Sequence, residues 1–374
     1  MSIHHELRPD AGAAGVTVRL AEALRSRGHH VDLLSFDDVG LPGNLPAYAF
    51  PWYVARTVLG RPNYDVLDLS SGDGWVLAAL RRLIPMRAET ALVTRSHGLE
   101  HTYHEALLAR SKQGNLRLSW KYPIYHGGFR LWECRMSFAL ADAALFLNET
   151  ELDYAVKRLG VKHSRAHRIP NGIGGAFVNT AERLTAAECC ARQPSNLAFV
   201  GSYLERKGVE ELRGAMISVL RHFPDAKLSY FGVAADPDAI LVTYPAELRT
   251  RVSVVSRYRN EDLPNLLADQ HILVFPSWFE GFPLTPLEAM ACGLVPIVAD
   301  IPGPTEYIKD GHNGIVVPSH QAVELERGIA GLLQEPDRWA ALRTAAIATA
   351  KDHSWEKIAI SMEAIYDAAI QEGR

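Results

Sequence analysis

The stretch Phe275–Asp300, FPSWFEGFPLTPLEAMACGLVPIVAD, runs from an apolar strand through a loop into a helix and out to a second apolar strand. Within it Thr285 suits a helix N-cap, Pro286 the first helical position and Glu288 the third, which together make a T-x-x-E capping box. The loop Glu280-Gly281-Phe282-Pro283-Leu284 then enters a helix N-terminus at the carboxyl end of a strand. Open α/β sheets bind ligands there, and unpaired N–H groups at a helix start favour phosphate. Glu280 and Glu288 are therefore candidates to flank a bound nucleotide. The plainer readings are a solvated loop carboxylate for Glu280 and the cap alone for Glu288.

The same alternation extends outward. Strands are expected at Val31–Phe36, Val66–Leu69, Ala91–Arg95 and Ala143–Leu147, then at Leu197–Val200, Lys227–Phe231, Val252–Val255, His271–Phe275, Val295–Ala299 and Ile315–Val317. Several are continuous apolar runs, as expected of strands covered on both faces by helices. Amphipathic segments lie between them, such as Val16–Arg27 with Val16, Leu20, Ala23 and Leu24 on one face. The pattern predicts an α/β fold of two doubly wound parallel sheets. The join is expected within Ile169–Pro194, where Pro170-Asn171-Gly172 is a turn signal. That divides the chain into a first domain at 1–170, a linker at 171–194 and a second domain at 195–352. The glycine-rich loop Gly12-Ala13-Ala14-Gly15 follows only His4-His5-Glu6-Leu7. Either a short strand lies within Ser2–Leu7 or the chain's first strand begins upstream.

Composition excludes several function classes. The 374 residues carry 39 Lys and Arg against 43 Asp and Glu, too balanced for a general nucleic-acid binder. Four cysteines, Cys134, Cys189, Cys190 and Cys292, have no C-x-x-C spacing and read as reduced thiols in a cytoplasmic protein. MSIHHELRPD is not a signal-peptide pattern. Apolar runs such as Trp75 to Leu80 fall far short of the roughly 18 residues that span a bilayer. Charge is uneven: residues 1–170 hold 21 basic and 17 acidic side chains, and residues 171–374 hold 18 and 26. Most of the first half's excess lies in 106–135, where Arg110, Lys112, Arg117, Lys121, Arg130 and Arg135 stand against Glu133 alone, interleaved with Trp120, Tyr122, Tyr125, Phe129 and Trp132. Two readings fit: a helix pair with buried rings and solvated cations, or a peripheral contact with an anionic membrane surface.

Two further segments have the chemistry of a phosphate or sugar site. After the strand at Leu197–Val200 comes Gly201-Ser202-Tyr203-Leu204-Glu205-Arg206-Lys207-Gly208 and then a helix. A cation such as Lys207 at a helix start opposes the macrodipole unless an anion is also bound. The plainer reading is a surface turn. In Thr94-Arg95-Ser96-His97-Gly98-Leu99-Glu100, His97 ends a strand beside a glycine and can reach a ligand, although a lone histidine is more often structural. Asp236-Pro237-Asp238 resembles a metal-chelating D-x-D but reads as turn chemistry. No zinc spacing, G-x-S-x-G or Walker loop is present.

Taken together and in order, these segments resemble the family 4 retaining glycosyltransferases of GT-B architecture, two facing Rossmann-like domains. The resemblance covers nearly the whole chain. Its most specific element is the E-x7-E pair Glu280 and Glu288 within EGFPLTPLEAMACGLVPIVA, supported by AEALRSRGHHV after the Gly12–Gly15 loop, SHGLE, IPNGI, VGSYLERKG and DIPGPTEYIKDGHNGIVVP. The closing SWEKIAISMEAIYDAA is similar to the family's final helix, placing 353–374 back on the first domain.

The resemblance implies transfer of a hexose from a nucleotide-diphosphate sugar to a sugar, lipid-linked or other small acceptor, with no metal, no other cofactor and no nucleic-acid partner. It implies catalytic roles for His97 and Glu280, and donor contacts from Gly15, Gly201, Arg206, Lys207, Gly281, Phe282, Pro283, Leu284 and Glu288. Glu288 would hold the ribose and Lys207 the diphosphate. Ser202 stands where many members have an arginine, with Arg206 the nearest replacement. The alternatives are an inactive GT-B binding subunit, or a GT-B epimerase or phosphorylase. The expected location is cytoplasmic, with 106–135 as a peripheral contact on the inner face of the membrane.

Overall fold

Two parallel sheets carry the chain. The computed structural model describes residues 1–7, 12–43, 45–60, 64–83, 90–114, 116–184 and 193–372. Residues Met1–Gly172 with Trp355–Arg374 form one compact unit, and Ile173–Ser354 form the other.

In the first unit β1 (Val66–Ser70), β2 (Ala91–Arg95), β3 (Ala143–Phe146) and β4 (Ala166–Arg168) lie side by side in that order, all parallel. β2 and β3 are buried at every position, which is why their apolar runs are unbroken. The helix Gly12–Ser26 lays Val16, Val18, Leu20, Ala21 and Leu24 inward. The expected Gly12–Gly15 loop is in fact this helix's first turn, and Gly15 is buried within it. Val31–Phe36 is a strand only in part. Leu34 alone makes a parallel bridge, to Ser2, while Arg25 takes the carbonyl of Val31 that a ladder would use. The short segment Met1–His5 does occupy a strand position: Ser2 N–H donates to the Asp68 carbonyl at 3.0 Å and Ile3 N–H to that of Leu34 at 2.8 Å.

The closing helix Trp355–Glu372 packs on Gly12–Ser26, β2 and β3. Its Glu363 takes both Arg27 and His29, and its Tyr366 hydroxyl donates to Asp68 on β1.

In the second unit β5 (Asn196–Val200), β6 (Lys227–Phe231), β7 (Val252–Val255), β8 (Ile272–Phe275), β9 (Val295–Ala299) and β10 (Ile315–Val317) form a parallel sheet in the order β10-β9-β8-β5-β6-β7. Its core joins Leu197, Phe199, Tyr230, Val274 and Ile297 to the helices Val209–His222, Ala322–Gln334 and Pro336–Lys351. The strand order reverses between β5 and β8, and a doubly wound sheet opens its ligand crevice at such a switch point. The stretch 171–194 is more than a linker. It holds the helix Gly175–Arg183, which buries Phe177 and Ala181, while residues 185–192, with Cys189 and Cys190, lie outside the described residues. Cys134 and Cys292 are buried free thiols.

Candidate active site

β5 and β8 pair at Leu197–Ile272 and Ala198–Leu273, so the loops leaving their carboxyl ends are neighbours. After β5, Gly201 sits at φ +138°, and the chain turns through a short helix, Glu205–Lys207, into Val209–His222. Gly208 joins the two helices at φ +71°, where a Cβ would stand 2.2 Å from the Pro276 carbonyl oxygen. Trp278 N–H donates to the Arg206 carbonyl at 3.0 Å. The loops after β5 and β8 are thereby locked together. Gly208→Ala would combine a left-handed backbone with a clash against another backbone. It is expected to destabilise the second unit by about 2–4 kcal/mol, read as a lowered unfolding midpoint. An unchanged midpoint would mean the loops separate freely.

That lock places Lys207 Nζ 2.6 Å from Glu280 Oε1, with both side chains largely buried. The more exposed Arg206 reaches the same oxygen at 3.6 Å. Two cations thus share one carboxylate. Glu280 is not a solvated loop carboxylate.

The helix that follows begins two residues earlier than the sequence predicts. It spans Leu284–Ala291 with Pro283 as its N-cap and no side-chain cap bond, so Thr285 is not the cap and the T-x-x-E box does not form. Pro286 fits because its missing N–H still falls in the first turn, where no intrahelical acceptor exists. Glu288 is consequently an interior, buried helix residue. Its charge is felt by Tyr258, Tyr307 and Cys292, whose acidities burial weakens first and the carboxylate further, Cys292 being pushed up to about 12.

Two residues that sequence reasoning passed over hold this loop. Tyr307, buried, donates its hydroxyl to the Pro283 carbonyl at 2.6 Å and packs on Phe282 with ring centroids 4.9 Å apart. Gly303, at φ +99°, backs onto the loop so closely that a Cβ would lie 2.7 Å from the Gly281 oxygen. Both lie in DIPGPTEY, where the glycine-proline turn was the available signal. A third, Tyr258, stands over Gly232 at the end of β6, near Glu288. The Asp236-Pro237-Asp238 motif is turn chemistry: Asp236 caps the helix Pro237–Leu241 by accepting the Asp238 N–H at 3.2 Å. Among the described residues no group of three His, Cys, Asp or Glu side chains is arranged to hold a metal ion.

In the first unit, His97 follows β2, with Nε2 3.1 Å from the Ser70 hydroxyl at the end of β1. Burial, and then the Arg95 guanidinium, hold its pKa down to about 4. The ring is neutral at pH 7. An unfolded imidazole titrates near 6.5, so between there and about 4 the unfolded chain binds the extra proton and stability falls as pH falls. His97→Asn is expected to flatten the curve of unfolding midpoint against pH across that window. An unchanged slope would contradict it. Around His97 lies a polar cluster in which Asp73 takes Ser2 at 2.7 Å and His4 at 2.5 Å, while Arg130 stands 3.3 Å from Glu100 and 3.5 Å from Glu133. Burial raises the Glu133 pKa against the opposing pull of Arg130 and the Trp75 N–H. Gly15 is in this unit too, so the expected site residues fall into two groups: Gly201, Arg206, Lys207 and 280–288 in one unit, His97 and Gly15 in the other.

Comparison with known proteins agrees with this organisation. The model described as Glycosyltransferase Family 4 matches residues 11–174, and the one described as Glycosyl transferases group 1 matches 191–352. The chain belongs to the family 4 glycosyltransferases, of GT-B fold. A D-inositol 3-phosphate glycosyltransferase of Segniliparus rotundus is 29% identical over 253 residues, 63% of this chain and 54% of that one. The chain thus spans about half the length of this curated relative. Among solved structures, the sucrose-phosphate synthase of Thermosynechococcus elongatus superposes with a TM-score of 0.75 over 99% of this chain and 98% of its own, at 20% identity. Anabaena HepE, solved with UDP-glucose, does so at 0.68 over 98% of each chain and 16% identity. Both show the fold.

Proposed function

We propose that the chain is a retaining glycosyltransferase moving a hexose from a nucleotide-diphosphate sugar to a sugar, lipid-linked or other small acceptor, without a metal ion. The observation that carries the reading is the Lys207–Glu280 pair at the switch point, beside a helix start with no side-chain cap. Cations and first-turn N–H groups are what a diphosphate needs to leave with its charge neutralised. The presence of UDP-glucose in the HepE structure supports a nucleotide-sugar donor.

In the reaction the bond between the sugar's anomeric carbon and the diphosphate breaks. The acceptor hydroxyl oxygen bonds to that carbon, and its proton leaves with the diphosphate. Lys207 and Arg206 stabilise the departing charge, Glu280 holds Lys207 in place beside the sugar, and Glu288 holds the ribose. Backbone amides of Gly281, Phe282 and Leu284 and the carbonyl of Pro283 shape the donor loop, Gly201 leaves room beside it, and neutral His97 orients the sugar.

A panel of nucleotide sugars screened by thermal shift should yield at least one that raises the unfolding midpoint. That donor should then turn over in the presence of EDTA. Absence of any shift across the panel would reject the donor site. Turnover lost to EDTA and restored by manganese would reject metal independence and return Asp236 and Asp238 to the site. Binding without turnover on any acceptor would favour the inactive binding subunit.

A further inference from the structure

The first unit carries an apolar face outside the residues assigned to the donor site. On the helix Leu45–Leu59, Tyr48 and Trp52 are half or more exposed, although Phe50 and Val54 of the same helix are buried. Their rings continue into the segment before and within the helix Arg130–Leu140: Tyr48 meets Tyr125 at 4.5 Å between centroids, Trp52 meets Trp75 at 5.5 Å, and Trp75 meets Trp132 at 5.1 Å. Phe129 and Trp132 stack at 5.7 Å, and both stay more than two-fifths exposed. Next in sequence stand Ile124 and Trp120, 66% and 76% exposed. A patch of this kind marks a contact surface.

Charge says what the contact is. Residues 39–60 and 106–132 contain no Asp or Glu. Exposed Arg56 follows Trp52 by one helical turn, exposed Arg135 follows Trp132 by three residues, and Lys121 lies over the Trp120 ring at 5.5 Å, with Arg117 and Lys112 exposed nearby in sequence. The acid of the wider segment, Glu133, is buried and accepts the Trp75 indole N–H at 2.9 Å, which fixes the floor of the patch. Aromatic rings bearing a polar edge favour the headgroup region of a bilayer, and cations favour anionic lipid. A two-fold contact between copies would set this acid-free face against itself, cation against cation. Among the described residues no helix is long and apolar enough to cross a membrane, so the contact would be peripheral.

We infer that this face, formed by Tyr48, Trp52, Phe129 and Trp132 together with the exposed Ile124 and Trp120 next in sequence, and flanked by cations, seats the protein on an anionic bilayer. The inference extends the sequence-level candidate 106–135 to the helix Leu45–Leu59. It does not depend on the sugar chemistry.

The full chain should co-sediment with vesicles of phosphatidylcholine mixed with phosphatidylglycerol, and not with phosphatidylcholine alone. Binding should weaken with salt. Tryptophan emission should shift to the blue and be quenched by bromine on the acyl chains. Lys121→Gln and Arg117→Gln, both exposed, should leave the unfolding midpoint unchanged and each weaken partitioning roughly fivefold. Trp52→Ser with Trp120→Ser should abolish most of the quenching. Equal partitioning to neutral vesicles, or none to either kind, would overturn the proposal. So would a concentration-dependent dimer that Trp52→Ser dissolves in a protein that binds no vesicle.

Discussion

Glu280→Gln is expected to lower kcat by about one to two powers of ten while changing donor affinity little. Gln can still accept a hydrogen bond from Lys207 Nζ, which now stands 2.6 Å from the carboxylate, but it removes the charge that fixes this ammonium. Loss of one charge-assisted hydrogen bond costs about 1.5–3 kcal/mol, and a loss confined to the transition state appears in turnover. Lys207→Ala should lower kcat at least as much, since the ammonium is what that carboxylate positions, whereas Glu288→Gln should act mainly on donor Kd, by a similar factor, because a ribose is held before and during reaction alike. Steady-state kinetics with calorimetric donor binding separates the two classes. If Glu280→Gln and Glu288→Gln shifted donor affinity equally and left turnover intact, Glu280 would be a binding residue only.

Asp68→Ala is expected to have the largest effect on stability, about 3–5 kcal/mol. Asp68 and Arg95 are both buried, paired at 2.6 Å across β1 and β2, and joined by the Tyr366 hydroxyl from the closing helix. Burial alone would raise the Asp68 pKa; Arg95, with its hydrogen bond and that of Tyr366, outweighs this and holds it below the usual carboxylate value. Its contribution is therefore present above the unfolded carboxyl's pKa and is lost as pH falls through the lower folded one. Removing the acid leaves a buried guanidinium uncompensated. Replacing both partners, Asp68→Leu with Arg95→Met, should recover much of the loss, since a matched apolar pair strands no charge. Denaturant unfolding measures both. A loss under about 1 kcal/mol for Asp68→Ala would mean water reaches Arg95.

What was legible follows from which interactions are local. β2 and β9 fall where their apolar runs predict because burial on both faces writes itself into consecutive residues, and β6, β7 and β10 fall where their β-branched and aromatic residues predict. β4, Ala166-His167-Arg168, escaped because this edge strand carries no apolar or β-branched run at all. Val31–Phe36 is a strand only in part: Leu34 and Phe36 share backbone bonds with Met1–His5, but the Val31 carbonyl goes to Arg25, so the pairing is too short to make a ladder. The helix starts at Leu284, two residues before the position that Thr285, a good N-cap by residue type, indicates. The Lys207–Glu280 pair joins residues 73 apart in sequence and exists because β5 and β8 are neighbours at the reversal of strand order. No window of sequence contains that fact. Tyr307 and Gly303 were hidden in the same way, since their role is the loop they press on.

The most direct measurement is the anomeric configuration of the product, read by NMR from turnover of an α-linked nucleotide sugar with its acceptor. A retaining transferase gives an α-linked product, formed at a rate that Glu280→Gln cuts by about one to two powers of ten. A β-linked product would contradict retention.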